Sequence, residues 1–340
     1  HGGVFARDAG IRERGGFSPL GDNVGLAAAQ ALGEKIVQGG LSSKHAGGVK
    51  GATQAVSGFD LVNQLIQVPK RFRGGAAHAQ EDGVVDAITK TPTGNYSIMI
   101  NGKSHFVQAG FEPTVKKGDK IESGDVLSDG LPNPAEIVKH KGVGEGRRYF
   151  IRSFVKAYRD AGLGIDRRNV ELLSRGLIDH VQLTEEDDDH IPGDVVSYSR
   201  LERTWTPRQG YSSVTPKQAV GKYLERPVLH YTIGTKIRPS MINELNDFQV
   251  GQVDVHDDPP PFEPHMVRAM AISQHDPDWM SKLLGSYQKK SITQSVQRGA
   301  TSDTQGTSFV PALAEGTTFG TQWPQNVLKP PATSGGLNPK

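Results

Sequence analysis

Glycine and proline interrupt this 340-residue chain so often that long unbroken elements have little room: 41 glycines and 21 prolines run from end to end. Each glycine weakens a helix or strand that passes through it, and each proline removes a backbone donor. The expectation is a loop-rich body of short elements, large enough to bury a real core, in two or three domains. One zone differs from the rest. Between positions 81 and 130, short β-prone runs (Val84-Val85, Tyr96–Ile100, His105–Val107, Lys120-Ile121, Val126-Leu127) alternate with the turn pairs Asp82-Gly83, Asn101-Gly102, Gly118-Asp119 and Gly124-Asp125. That is hairpin punctuation. Helical patterns flank it, so the fold class is α+β with a small β-barrel-like module.

The helical patterns have readable ends. Val24 to about Ile36 is rich in helix formers, although Gly33 weakens it, and Gly39-Gly40 and Gly47-Gly48 mark flexible points around Leu41–His45. A second pattern, Phe59 to Val68, stops at Pro69. Positions 133–182 predict three helices. Pro134 opens one after Asn133, and Gly142, Gly144 and Gly146 break the chain. Tyr149, Phe150, Phe154 and Tyr158 share one broad face. Asp166 is a good N-cap for Val170–Val181, with an apolar stripe of Val170, Leu173, Leu177 and Val181. The Pro- and Asp-rich stretch 250–278, with Pro259-Pro260-Pro261, predicts an insertion or extended linker. Trp279 to Gln297 is helical again, and the end, with Pro330-Pro331, is an extended tail. The regions expected are 1–80, 81–132, 133–200, 201–278, 279–320 and 321–340.

Composition removes several functions. No apolar run approaches the roughly 18 residues that span a bilayer. Lys and Arg number 39 against 37 Asp and Glu, so any polyanion-binding surface must be local. With no cysteine there is no disulfide, no Cys-ligated zinc and no thiol nucleophile. The start, His1-Gly2-Gly3-Val4-Phe5, has neither an initiator Met nor a signal-peptide layout. The expectation is a soluble, non-secreted, processed or truncated product of a reducing compartment, or one piece of something larger.

Chemistry concentrates in one stretch. Gln38, Leu41, Ser42 and His45 fall at i, i+3, i+4 and i+7, one face if the segment is helical. A histidine there can give a proton or hydrogen bond to a phosphate while the leucine packs on a flat base, and the flanking glycines suit a lid. An ordinary helix–loop with a surface histidine fits the same spacing.

The surrounding residues carry a resemblance. Val24-Gly25-Leu26-Ala27-Ala28-Ala29-Gln30-Ala31-Leu32-Gly33-Glu34 resembles the motif that opens the trigger loop in the largest (bacterial β′) subunit of multisubunit RNA polymerases. In ungapped register from Gly25 to Gly48, Gln38, Leu41, His45 and Gly47-Gly48 fall on the family's Gln, Met/Leu, His and Gly-Gly. Gly58–Lys70 is similar to the second trigger helix. Val115–Asp119, Gly124–Gly130 and Asn133–Ile137 resemble the family's Gly-Asp-x-Leu-Thr-Asp-Gly…His-Asp-Ile-Leu segment, and Tyr158-Arg159 through Val181 its Val-Tyr-Arg helices. Ile292–Gly299 and Phe309–Gly316 echo its closing motifs. About two-thirds of the chain is covered, in order.

This resemblance implies a trigger-loop helical hairpin in 1–80, helical jaw-like segments in 133–200 and a closing segment in 279–320. It implies a part in DNA-directed RNA synthesis within a complex, the isolated chain being inactive. In the implied roles Leu41 packs on the base, Gln38 bonds the ribose and His45 meets the β/γ-phosphates. The implied partners are N-terminal β′-like and β-like chains, template DNA, nascent RNA and NTPs, with no membrane. The family's Asp triad is not in this chain, so the implied Mg2+ is held by a partner chain. Lys289, Lys290 and Arg298 are candidate DNA contacts, with a solvated helix face as the competing reading.

Several positions depart from the family. Its trigger Arg is Ser42, its Phe before the His is Lys44, and its Pro-Gly pair is Lys35-Ile36. Where the bacterial zinc half-site has two Cys stand Phe5 and Asp8, so zinc is not expected. These losses point to a split polymerase subunit of a large bacteriophage, located in the cytoplasm of an infected bacterial host or packaged in the virion. A polymerase-derived structural subunit without catalytic contribution is the alternative. Asp187-Asp188-Asp189-His190 and Asp254–Asp258 are expected to be solvated acidic loops. Gly142, Gly144 and Gly146 lack the preceding strand of a dinucleotide fingerprint. Arg147-Arg148 and Arg167-Arg168 are open between phosphate contact and solvated face.

Overall fold

The computed structural model describes residues 4–12, 15–20, 22, 24–43, 58–69 and 72–275. Among them the architecture is α+β, with helices around one main core and three antiparallel sheets. None of the described helices is long and apolar enough to cross a membrane.

The main core is built by α2 (Val24–Ser43), α3 (Gly58–Gln67), α5 (Val143–Asp160) and α6 (Arg167–Leu177), closed by strand β5 (His180–Leu183). On α5 the expected aromatic face is present. Phe150, Phe154 and Tyr158 are buried, with successive ring centroids 5.2 and 5.1 Å apart, while the half-buried Tyr149 donates its hydroxyl to Pro132 at 2.7 Å. Asp166 caps α6 by accepting the Arg168 N–H at 2.9 Å, and Val170, Leu173 and Leu177 face inward. Val181 is a correction: it is buried, but in β5, because the chain leaves the helix at Ile178.

Helix α2 corrects the sequence reading. It runs through Gly33, Gly39 and Gly40 to Ser43 instead of fading near Ile36. A glycine costs a helix only about 1 kcal/mol, and the root of α2 recovers more by burying Ala28, Ala29 and Leu32. Leu32 is buried, and its carbonyl accepts the Tyr158 hydroxyl at 3.0 Å.

The β-module consists of β1 (Gly83–Lys90), β2 (Tyr96–Ile100), β3 (Lys103–Val107) and β4 (Lys120–Ile121), in the order β3-β2-β1-β4. Asn101 and Gly102, both at positive φ, turn β2 into β3 as the Asn-Gly pair predicts. Val85, Ile98, Ile100, Val107, Ile121 and Leu127 fill its interior. The sheet is open, ending at β3 and β4, so the barrel-like module is a half-barrel. Val126-Leu127 forms no strand; Val126 instead bridges to His78.

Between module and core lies α4 (Pro134–Lys141), capped by the Asn133 side chain. The glycines that follow are a further correction. Only Gly142, at φ +93°, separates α4 from α5; Gly144 and Gly146 lie within α5. Packing explains them. A Cβ on Gly144 would sit 1.7 Å from the His230 carbonyl oxygen, and one on Gly146 2.2 Å from a Val138 methyl.

After β5 come β6 (Val195–Ser197), α7 (Tyr198–Thr204), β7 (Ser212–Val214), β8 (Tyr223–Leu224), α8 (Ile242–Asp247), β9 (Val253–His256), β10 (Phe262–His265) and α9 (Ile272–His275). As far as it is described, to residue 275, the stretch 250–278 is therefore no extended linker. β9 is the centre of the sheet β7-β9-β8, and β10 pairs with β5. Val253, Val255 and Phe262 are buried apolar anchors, which a linker lacks. Leu224, Tyr231, Ile237, Met241 and Leu245 join Val253 and Val255 in a separate small core. The expected helix at Trp279–Gln297 and the tail lie outside the described residues.

Candidate functional site

The two helices that flank residues 44–57 are both seated in the main core. On α2 the seat is Ala29 and Leu32; on α3 it is Val62, Leu65 and Ile66. The Gln64 side chain of α3 then clamps the outgoing chain, donating to the Arg73 carbonyl at 2.8 Å and accepting the Arg73 N–H at 3.0 Å. Gln38 and Leu41 lie in the last turns of α2, three residues apart. His45 lies outside the described residues, as do Lys289, Lys290 and Arg298.

Phe5 and Asp8, which replace the zinc cysteines, flank and enter the short helix α1 (Ala6–Ala9). Phe5 is exposed, and the Asp8 carboxylate lies 3.9 Å from the Arg175 guanidinium.

A polar cluster that the sequence reading missed joins the start of α5 to the turn at 228–231 and to α8. Arg148 Nη1 donates to Glu244 at 2.8 and 3.1 Å and lies 3.4 Å from Glu145. His230 Nε2 meets the Glu145 carboxylate, and the Tyr231 hydroxyl donates to Glu244 at 2.6 Å. Burial pushes the Glu145 carboxyl up, but His230 and Arg148 hold it below its usual value. Burial and the Glu244 carboxylate raise the Tyr231 phenol. Glu145, His230 and Glu244 are metal-ligand types within reach of one ion. Arg148, however, already stands among them as the balancing cation, so the cluster acts as a clamp between lobes. Of this cluster the sequence reading singles out only Arg148, as part of Arg147-Arg148.

Several of the remaining charged side chains have partners within the chain, most of them at the surface. Arg147 donates to the buried Asp179 at 2.6 Å, and Ser197 and Ser199 also donate to that carboxylate. Arg167 pairs with Glu171. Asp187 closes its own loop by accepting N–H groups of Asp189 and His190. Asp254 pairs with Arg226 and Asp257 with Lys222.

His78 locks the β-module to α4. Its Nδ1 lies 3.0 Å from the Gly124 carbonyl, and its Nε2 accepts the Asn133 N–H at 3.0 Å. Only the neutral ring does both. Burial lowers its pKa, with His140 and Lys141 acting in the same direction and the Gly124 carbonyl and Glu136 opposing. A histidine depressed in the folded state contributes stability that is full above its unfolded value near 6.5 and is lost as pH falls below it. The urea midpoint is therefore expected to drop between pH 7.5 and pH 5.5, and to drop less in His78→Gln. Equal drops in both proteins would remove His78 as the source.

No family model matches the chain. Similarity appears instead to curated β′ subunits of DNA-directed RNA polymerase. The chain is 31% identical to that of Desulforudis audaxviator over 189 residues, 54% of this chain and 16% of that protein. It is 32% identical to the Moorella thermoacetica subunit over 183 residues, 52% of the chain and 16% of the relative. With the Petrotoga mobilis subunit it shares 25% over 264 residues, 70% of the chain and again 16% of the relative. The chain is thus homologous to part of a β′ subunit, and the matches cover about one-sixth of these relatives' length.

Proposed function

We propose that this chain supplies the trigger element of a multisubunit DNA-directed RNA polymerase. The observation that carries the reading is the similarity to β′ subunits over half to 70% of the chain. In support, α2 and α3 are firmly seated on either side of the segment that bears His45. The reaction is attack of the RNA 3′-OH on the α-phosphate of an incoming NTP. Magnesium ions supply charge neutralisation there. A partner chain holds them, because the Asp triad that the resemblance implies is not in this chain. This chain's share is to position and to stabilise charge: Leu41 on the base, Gln38 on the ribose, His45 on the β/γ-phosphates as donor or acid. Phe5 and Asp8 cannot form a tetrahedral structural zinc site. The source is a large bacteriophage with a split largest subunit. The competing reading, a structural subunit, rests on Ser42, which supplies no charge where the family places an Arg.

Affinity purification of the chain from its source separates the two. A co-purifying partner that carries an Asp-rich metal loop is the expected result. Recovery of the chain without such a partner overturns the polymerase reading.

A further inference from the structure

Helix α2 (Val24–Ser43) is continuous, but its two halves are held differently. The first half is set into the protein. Ala28 is buried with Val4 and Leu172, and Ala29 and Leu32 are buried in the main core. Past Leu32 the seat gives way. Glu34 and Lys35 are exposed, and the second half carries Gly33, Gly39 and Gly40, each of which weakens a helix relative to alanine. At that boundary one polar contact crosses from α5: the Tyr158 hydroxyl donates to the Leu32 carbonyl at 3.0 Å. A carbonyl oxygen has two lone pairs, so it takes this donor beside its place in the helical ladder.

The donor has little freedom of its own. Tyr158 is buried and its ring stacks on Phe154 with centroids 5.1 Å apart. Burial also pushes its phenol up, so the hydroxyl keeps its proton. Apolar burial of Ala28, Ala29 and Leu32 holds α2 against the core but is non-directional, and by itself lets a helix turn or slide. A hydrogen bond between a fixed donor and one named carbonyl sets register and rotation. A side chain that reaches into the ladder also marks a place where helices bend or stop. We propose that Tyr158 is a positioning residue: its hydroxyl fixes the point on α2 beyond which the helix is free to fold and unfold. It thereby places the turns that carry Gln38 and Leu41, about 9 and 14 Å further along the axis. The anchor stands on the geometry alone; its bearing on nucleotide addition rests on the polymerase reading.

The test compares Tyr158→Phe with Tyr149→Phe in the assembled complex. Both remove one hydroxyl from α5 and keep the ring, but the Tyr149 hydroxyl donates to the Pro132 carbonyl and not to α2. In Tyr158→Phe, hydrogen exchange read by mass spectrometry is expected to quicken about 2- to 10-fold over residues 33–43, as for the loss of one hydrogen bond, with α6 unchanged. The maximal rate of single-nucleotide addition at saturating NTP is expected to fall by about the same factor. Tyr149→Phe is expected to change neither. A merely structural hydroxyl would lower the thermal midpoint and leave the rate alone. Unchanged exchange over 33–43 overturns the proposal, as does equal slowing by the two variants. If exchange quickens and the rate holds while His45→Ala is slow, the positioning role falls and the trigger reading stands. If His45→Ala is not slow either, both fall.

Discussion

Alanine at His45 or Leu41, in the assembled enzyme, is expected to slow single-nucleotide addition by about 30- to 1,000-fold while leaving DNA binding nearly unchanged. The size follows from losing a charge-assisted hydrogen bond and alignment in the closed state, roughly 2–4 kcal/mol. The selectivity follows from when the contacts form. In the proposed trigger role both side chains would meet the NTP only in the closed state, so their loss would weaken the transition state and not the resting complex. In that role Ser42 would bring no charge and His45 would carry a larger share than beside an Arg, so Ser42→Arg is expected to restore part of the rate lost in His45→Ala. The assay is addition at saturating NTP on a preassembled RNA–DNA scaffold. Unchanged rates in both alanine variants would assign the chain to the structural reading.

The root of α2 adds a second requirement to this mechanism. For the proposed lid the fixed end would be Leu32, which is buried and whose carbonyl accepts the Tyr158 hydroxyl. That anchor was not legible in the sequence. Leu32 and Tyr158 are 126 positions apart, and nothing in the local pattern near Gly33 announces that α5 lies beside it. What was legible is local: the Asp166 and Asn133 caps, the Asn101-Gly102 turn and the aromatic face of α5 each depend on residues a few positions apart. Likewise the Pro-rich stretch 250–278 hid two strands, because Val253, Val255 and Phe262 alternate over too few residues to outweigh the prolines. For the candidate site, composition and spacing gave only a possible lid face at Gln38, Leu41 and His45. Its meaning came from the resemblance, and the Glu145–Arg148–Glu244 clamp came only from tertiary structure.

Gly144→Ala is expected to be the most damaging single-methyl change in the described fold. The added Cβ would lie 1.7 Å from the His230 carbonyl oxygen, a backbone atom on a turn with little freedom to move. Leu229 already sits at φ +56°, and Val228 and Tyr231 are held to each other by paired backbone hydrogen bonds. To relieve the contact the whole turn must move away from α5. That motion pulls His230 from Glu145 and Tyr231 from Glu244, leaving half-buried charges short of partners. Overpacking of this kind costs about 3 kcal/mol or more once lost polar contacts are added, which corresponds to a fall in thermal midpoint of about 5–10 °C. Gly164→Ala is the control. No atom lies within 4 Å of its added Cβ and its φ is ordinary, so the change is expected to be neutral or to stabilise slightly by restricting the unfolded chain. Differential scanning calorimetry of the two variants beside the parent chain checks both. If Gly144→Ala melts with the parent, the 228–231 turn is free to shift, and the clamp around Arg148 does not hold α5 to the small lobe.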